Sequence, residues 1–305
     1  MEGSRRLRIG ITGGAGLLAS NFVRQLQRDH FVLTLFNKTR PVGHQNRAVS
    51  ADVSSKKELY SVLSQHDIDC LVHAAALTDV DRCEAYPDLA MRVNFELAQT
   101  VSEVCLELGI KLVFISTDQV FEGVVQSYSE DDDVFPVNTY GKTKVLAENY
   151  LRHNHDEALI LRTNFFGWGP PHRKSFSDWV INSLRQEQPI KLFTNINFTP
   201  VYSSFLVDRI MDLVLQGASG IYHVSSDEQV SKWEFGNKLA SLLEADVGCL
   251  LKYKFKNGDL LAPRPANMSL SNLKIKSFLG LPKIELHHQL ISLLNEESLC
   301  YDWMN

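Results

Sequence analysis

The segment Tyr140-Gly141-Lys142-Thr143-Lys144 places a phenol at i and an ammonium at i+4, which lie on one face if the segment is helical. Such a pair can move a proton. A phenol must come down by roughly 3 units from its ordinary pKa of about 10, about 4 kcal/mol, to exchange protons near neutral pH. An ammonium about 4 Å away, at an effective dielectric near 20, supplies about that much. Tyr and Lys at this spacing also occur by chance on helix surfaces, so the surroundings decide. Upstream, Ser116-Thr117-Asp118 ends the apolar run Leu112-Val113-Phe114-Ile115. Hydroxyls at the carboxyl end of a strand are placed to polarise an oxygen that gains charge as hydride arrives; a turn or an N-cap is the plainer account.

A second constellation, Gly13-Gly14-Ala15-Gly16-Leu17-Leu18-Ala19, follows the apolar run from Leu7 to Thr12. Glycine lets the backbone turn sharply and approach a pyrophosphate, whose charge then rests on the N–H groups of a helix N-terminus. A bare strand-to-helix turn is the alternative, and the position at the first βα turn favours a dinucleotide. Gly13, Ala15, Gly16, Leu17 and Leu18 are the expected contacts. A NAD site carries an acidic residue about 20 positions further on. Here that stretch reads Phe36-Asn37-Lys38-Thr39-Arg40. Asn37, Lys38 and Arg40 suit a 2′-phosphate, so NADPH is the expected cofactor and NADH the alternative; a solvated loop would carry the same cations. Asp52 and Val53 are expected to border the adenine, although an N-cap before Ser55 accounts equally well for Asp52. Ala74, Ala75 and Ala76, beside His73, are small enough for close packing against the cofactor.

The elements that must hold these groups recur as a rhythm of short apolar runs and longer helical stretches. Strands are expected at Leu7 to Thr12, Phe31 to Phe36, Cys70 to Ala74, Lys111 to Ser116 and Ala158 to Arg162. Helices are expected at Leu17 to Arg28, Ser55 to Gln65, Pro87 to Leu108 and Thr139 to Arg152. Strands alternating with helices, several of them continuous apolar runs, mean parallel strands buried on both faces. The expected fold class is α/β, a Rossmann-type doubly wound parallel sheet with a smaller, discontinuous C-terminal substrate domain. The rhythm breaks after Arg162, where Pro170-Pro171, Pro189 and Pro200 intervene, and Ile221 to Val224 reads as one last strand returning to the sheet. Helices follow at Ser231 to Leu243 and near His287 to Asn295. The expected division is 1–162 with 203–225 for the cofactor, and 163–202 with 226–305 for the substrate.

Composition narrows the partners. Among 305 residues, 31 Lys+Arg face 36 Asp+Glu, a net charge of -5, and 44% are hydrophobic. At this length roughly 75% of the unfolded surface can be buried, so no metal or disulfide staple is needed. With no basic block there is little counterion release to gain, which argues against nucleic acid or an anionic membrane. Cys70, Cys83, Cys105, Cys249 and Cys300 fall singly, which fits a reducing, cytoplasmic setting and no zinc ribbon. No signal or membrane-spanning segment is expected, and no metal site: His73 reads as core, and His153/His155 and His287/His288 lack ligand spacing. Trp168, Phe176 and Trp179 read as core or as packing in a homodimer.

Taken together, these strings resemble the extended short-chain dehydrogenase/reductases and, within them, the dTDP-4-dehydrorhamnose reductase family. Thr78-Asp79-Val80-Asp81-Arg82-Cys83-Glu84 resembles that family's T-A-V-D-x-A-E, and Val93-Asn94 its V-N helix. Ser116-Thr117-Asp118-Gln119-Val120-Phe121-Glu122-Gly123 resembles S-T-D-Y-V-F-D-G and leads into Tyr140-x-x-x-Lys144. Arg162-Thr163, Thr199-Pro200 and Arg264-Pro265 resemble later segments. The resemblance implies reduction of a nucleoside-diphosphate 4-keto-6-deoxy sugar by an NAD(P)H-dependent oxidoreductase. Thr117 would bind the C4 carbonyl, Tyr140 would donate the proton, and Lys144 would lower the Tyr140 pKa and hold the nicotinamide ribose. Thr78, Val80, Asp118, Gln119, Asn164, Phe165 and Arg264 would meet the substrate, Arg264 at its diphosphate. Two departures stand out: Gln119 replaces a Tyr and Phe165 a Trp, which removes a phenol and an indole and puts the identity of the sugar in doubt. Two other readings share these residues: a sugar-nucleotide epimerase or dehydratase, and a non-catalytic regulatory subunit like the methionine adenosyltransferase beta subunit.

Overall fold

The computed structural model describes residues 6–41 and 47–298; Cys300 lies outside them. The first half runs β1 (Arg8–Thr12), α1 (Leu17–Leu26), β2 (Phe31–Phe36), β3 (Ala48–Ser50), α2 (Lys56–Gln65), β4 (Cys70–His73), α3 (Val80–Ala85), α4 (Pro87–Met91), α5 (Leu97–Leu108), β5 (Lys111–Thr117), α6 (Thr139–Asn154) and β6 (Leu159–Thr163). There follow β7 (Phe165–Phe166), α7 (Phe176–Arg185), β8 (Ile190–Phe193), β9 (Asn197–Phe198), β10 (Val201–Tyr202), α8 (Ser203–Leu215) and β11 (Gly220–Val224). The chain then continues through β12 (Val230–Ser231), α9 (Lys232–Leu242), β13 (Leu250–Tyr253), α10 (Leu273–Leu279) and α11 (Leu286–Asn295).

Seven strands form one sheet in the order β11-β6-β5-β4-β1-β2-β3, and every pairing in it is parallel. The apolar runs of the sequence are two-faced because helices cover both sides. In β5, Val113 and Ile115 enter the cluster with Phe22, Leu206 and Ile210, whereas Leu112 and Phe114 enter the one with Leu59, Val101 and Leu151. Each such buried side chain contributes roughly 1.5–3 kcal/mol. The expected return of Ile221 to Val224 to the sheet is what β11 does, pairing with β6. A further core lies apart from the sheet. Phe166, Trp168, Val180, Ile181, Phe198, Phe235, Leu286 and Leu290 pack together there, and Trp168 Nε1 donates to the Leu293 carbonyl at 2.7 Å.

The strand order reverses beside β1, whose neighbours are β2 and β4. A crevice opens at such a point because the connections leave β1 and β4 towards opposite faces. The stretch expected as one helix from Pro87 to Leu108 is α4, one π-helical turn at Arg92–Glu96, and α5 in direct succession. Short β3, and helices α3, α7, α8 and α10, are additions to the expected elements. Among the described residues no helix is long and apolar enough to cross a membrane.

Candidate active site

A cavity of about 920 Å³ opens at the carboxyl ends of the central strands. Its wall is built by the loops leaving β1, β2, β4, β5 and β6 and by one face of α6. Of the expected residues, Gly13, Ala15, Gly16, Leu17, Leu18, Asn37, Lys38, Ala74, Ala75, Ala76, Thr78, Thr117, Gln119, Tyr140, Lys144, Asn164 and Phe165 all line it.

The glycine loop can be tested as a diphosphate cradle on its geometry. Gly13 has φ +72°, and a Cβ there would stand 3.0 Å from the Ala75 nitrogen, so only glycine lets the two loops approach this closely. The N-cap Gly16 offers no side chain to the first turn of α1, which holds no acidic residue. Those N–H groups are open to an anion. With Lys38 on the same wall, the residues present fit a phosphorylated dinucleotide.

The chemistry-bearing side chains converge from two elements. Strand β5 ends in Ser116 and Thr117, and α6 begins on the Asn138 N-cap, whose Oδ1 accepts from the Gly141 N–H at 2.9 Å. Gln119 holds that cap in turn, its Oε1 accepting from Asn138 Nδ2 at 2.9 Å. Tyr140 is buried and lines the same wall as Thr117. Thr117 Oγ1 donates to Asp118 Oδ1 at 3.1 Å and accepts from the Gln119 N–H at 3.2 Å.

Lys144 departs from the expected coupling. Its Nζ donates to the Ile115 carbonyl at 2.6 Å and rests 3.9 Å from the centroid of the Phe114 ring. Burial pushes its pKa down to about 7, against the pull of Glu148. Burial also raises the Tyr140 phenol, opposed by Thr117, with Asp118 and Cys83 adding to the rise. The phenol is thus raised rather than lowered here, and the Lys144 ammonium is bonded to a strand carbonyl.

Six expected contacts do not line the cleft. Arg40 lies beyond the Phe36–Thr39 wall. Asp52 closes its own turn, with Oδ1 accepting from Ser54 N–H at 3.0 Å and Ser54 Oγ at 2.6 Å, and Val53 is core. Val80 packs behind Tyr140 with Cys83, Ala90 and Ala262. Asp118 is buried behind the wall, where its Oδ2 accepts from Asn164 Nδ2 at 2.8 Å. Arg264 is engaged elsewhere: Nη2 donates to Asp81 Oδ2 at 2.8 Å and Nη1 to the Ala262 carbonyl at 2.9 Å. His73 is a half-satisfied core imidazole. Its Nδ1 meets Thr12 Oγ1 at 2.8 Å while Nε2 has no partner, and burial lowers its pKa to about 3.

Other wall residues escaped the sequence reading. His172, Arg173 and Lys174 line the rim with Ser175 and Phe176, and Arg173 Nη2 crosses the cleft to Thr78 Oγ1 at 2.7 Å. The run of three basic residues after Pro170-Pro171 was the available signal. Asn94, in the π-helical turn, accepts from the Leu77 N–H at 2.8 Å and donates to Thr143 Oγ1 at 3.1 Å, so it ties the loop after β4 to α6. Beneath the site, Ser116 Oγ donates to Glu148 Oε1 at 2.5 Å, and Glu148 forms a buried pair with Arg162 at 2.7 Å.

The RmlD substrate binding domain family matches residues 7–299. A probable low-salt glycan biosynthesis reductase of Haloferax volcanii is 30% identical over 293 residues, 93% of this chain and 96% of its own length. Among solved structures, a hypothetical dTDP-4-dehydrorhamnose reductase from Sulfolobus tokodaii superposes with a TM-score of 0.81 at 27% identity, covering 92% of this chain and 97% of that one. The dTDP-4-dehydrorhamnose reductase of Bacillus anthracis, solved in complex with NADP, shares the fold with a TM-score of 0.84 at 24% identity, covering 96% and 100%. With the family match spanning the sheet, the cleft and the second core alike, the chain belongs to the RmlD substrate binding domain family.

Proposed function

We propose that the chain is an NADPH-dependent reductase of a nucleoside-diphosphate 4-keto-6-deoxy sugar. The observation that carries this reading is the meeting, in one cleft, of the Gly13 cradle with Thr117, Tyr140 and Lys144. The segments 1–162 and 203–225 serve the cofactor, and 163–202 with 226–305 the sugar nucleotide. Lys38 takes the 2′-phosphate, and Ala74, Ala75 and Ala76 pack along the cofactor. When bound, the nicotinamide supplies the hydride.

The chain's own part is proton delivery and positioning. The Tyr140 phenol is protonated at neutral pH, as a phenol in its ordinary range already is, and its O–H proton passes to the C4 oxygen as the carbonyl becomes an alcohol. Thr117, on the same wall, binds the C4 carbonyl. Lys144, one helical turn away on the same wall, holds the nicotinamide ribose. Thr78, Gln119, Asn164 and Phe165 form the sugar wall. Among the described residues that wall carries no carboxylate, which disfavours the dehydratase alternative, a chemistry that wants carboxyl acid/base groups at the substrate.

The test is oxidation of NADPH with a panel of 4-keto sugar nucleotides. Turnover is expected, and Tyr140→Phe should lower kcat by about 100-fold or more. A loss smaller than about tenfold removes Tyr140 as proton donor. NADPH binding without turnover of any panel member would overturn the catalytic reading in favour of a regulatory one.

A further inference from the structure

The cleft presents more positive charge than the cofactor uses. Among the described residues Lys38, Lys144, Arg173 and Lys174 line it, and no Asp or Glu does. Lys38 is assigned to the 2′-phosphate, and Lys144 is bonded to the Ile115 carbonyl. Arg173 and Lys174, on the loop between β7 and α7, are left without a task. Arg173 is the one that reaches across the cleft, its Nη2 donating to Thr78 Oγ1 at 2.7 Å, and it forms no ion pair among the described residues. A guanidinium carries five N–H donors in a planar fork that matches two phosphate oxygens, and a single neutral hydroxyl leaves most of that fork unused.

Arg264 is the opposite case. Expected at the diphosphate, it spends its fork on Asp81 and the Ala262 carbonyl. The backbone beneath Arg173, by contrast, is already fixed for binding. Asp178 Oδ2 accepts from the Gly169 and Ser175 N–H groups at 2.8 and 2.7 Å, and the Arg173 N–H donates to the Pro170 carbonyl at 2.9 Å. A Cβ at Gly169 would run into the Arg173 carbonyl oxygen, so the loop is closely folded on itself. Only the exposed side chain has to move, and a loop set in advance loses little further freedom when a ligand arrives. Its present partner, Thr78, belongs to the proposed sugar wall, whereas the diphosphate of the cofactor is met by the N–H groups of the Gly13 cradle.

We propose that Arg173 binds the diphosphate of the sugar nucleotide, exchanging the Thr78 hydroxyl for phosphate oxygens as the substrate enters. The exchange replaces a hydrogen bond to a neutral acceptor by bonds to a charged one, and it frees the Thr78 hydroxyl to meet the sugar. The assignment rests on the reductase reading for the kind of ligand and on the Arg173–Thr78 contact for its place, and the two are tested apart.

The experiment is calorimetric titration of the full chain, with NADP⁺ bound, by dTDP and by UDP, in wild type, Arg173→Ala and Thr78→Val; NADP⁺ is titrated separately into each. Arg173→Ala should weaken whichever nucleoside diphosphate wild type binds by about tenfold or more, as loss of a hydrogen bond to a charged group does, and should leave NADP⁺ affinity unchanged. Thr78→Val removes only the resting partner, so the diphosphate should bind it at least as tightly as wild type. A bridge that only held the cleft in shape would weaken binding in both variants alike. In turnover, Arg173→Ala should raise KM for the sugar nucleotide about tenfold and change kcat less. Undiminished diphosphate affinity in Arg173→Ala, or equal losses in the two variants, would overturn the proposal. So would a matching loss of NADP⁺, which would give Arg173 to the cofactor, and so would wild type binding neither dTDP nor UDP. Should wild type bind a nucleoside diphosphate yet reduce no sugar nucleotide, the reductase reading falls, while the titration still decides what Arg173 binds.

Discussion

At the scale of single residues, Lys144 shows what the cleft demands of the fold. Its pKa of about 7 stands well below the ordinary 10.5, with burial the largest cause. Between those two values the unfolded chain binds more protons than the native one, so this residue makes stability rise as pH increases from about 7 towards 10.5. Lys144→Met removes that burden. The variant should gain in Tm over wild type by at least about 2 °C at pH 6.5, with the gain shrinking by about pH 9.5, while reduction is lost. Melting curves at the two pH values check it; an equal difference at both would show that the ammonium is not desolvated. The spacing of Tyr140 and Lys144 was legible in the sequence, and so was their common face. The partner of the ammonium was not, because helical spacing fixes the side of a helix but not the acceptor, here Ile115 on another element. The partner of Arg264 was hidden for the same reason, since Asp81 lies 183 positions away in sequence.

At the scale of elements, the site depends on how closely α6 approaches the turn after β5. Gly141 sits where a Cβ would run into the Gln119 carbonyl oxygen and the Pro136 ring. In a free helix, Gly to Ala gains up to about 1 kcal/mol. Here the added methyl must push α6 off a backbone oxygen, and overpacking of this kind costs roughly 1–3 kcal/mol. Gly141→Ala is therefore expected to lower the denaturant midpoint and to reduce kcat more than it raises KM for NADPH, since Tyr140 moves while the Gly13 cradle stays. An unchanged or raised midpoint would mean that the contact is loose. The helix itself was readable from Thr139 onward. The π-helical turn at Arg92–Glu96 was not, because its single extra residue leaves the apolar period almost intact and shows itself only in the bonds Asn94 makes to Leu77 and Thr143.

For the whole molecule, the sheet and its crevice followed from alternating apolar runs and helical stretches, a pattern that local sequence carries. The second core is different: α7, α9 and α11 meet through short strand pairs of two to four residues, too brief to announce themselves by period. What unites the sheet with that core is the cleft between them, so a ligand filling it should stabilise the entire fold by mass action, about 2.7 kcal/mol at a concentration 100 times Kd. This makes thermal stability a reading of cofactor preference. The sequence favoured Lys38 and Arg40 together, but the wall includes Lys38 and not Arg40. A cation against the 2′-phosphate adds a charge-assisted hydrogen bond of roughly 1.5–3 kcal/mol. Lys38→Ala should thus weaken NADPH by about tenfold or more while leaving NADH nearly unchanged, and Arg40→Ala should alter neither. Melting shifts measured with each cofactor over a range of concentrations separate the cases. Equal losses of NADPH and NADH in Lys38→Ala would mean that Lys38 does not read the phosphate, and a selective loss in Arg40→Ala would place the recognition outside the wall.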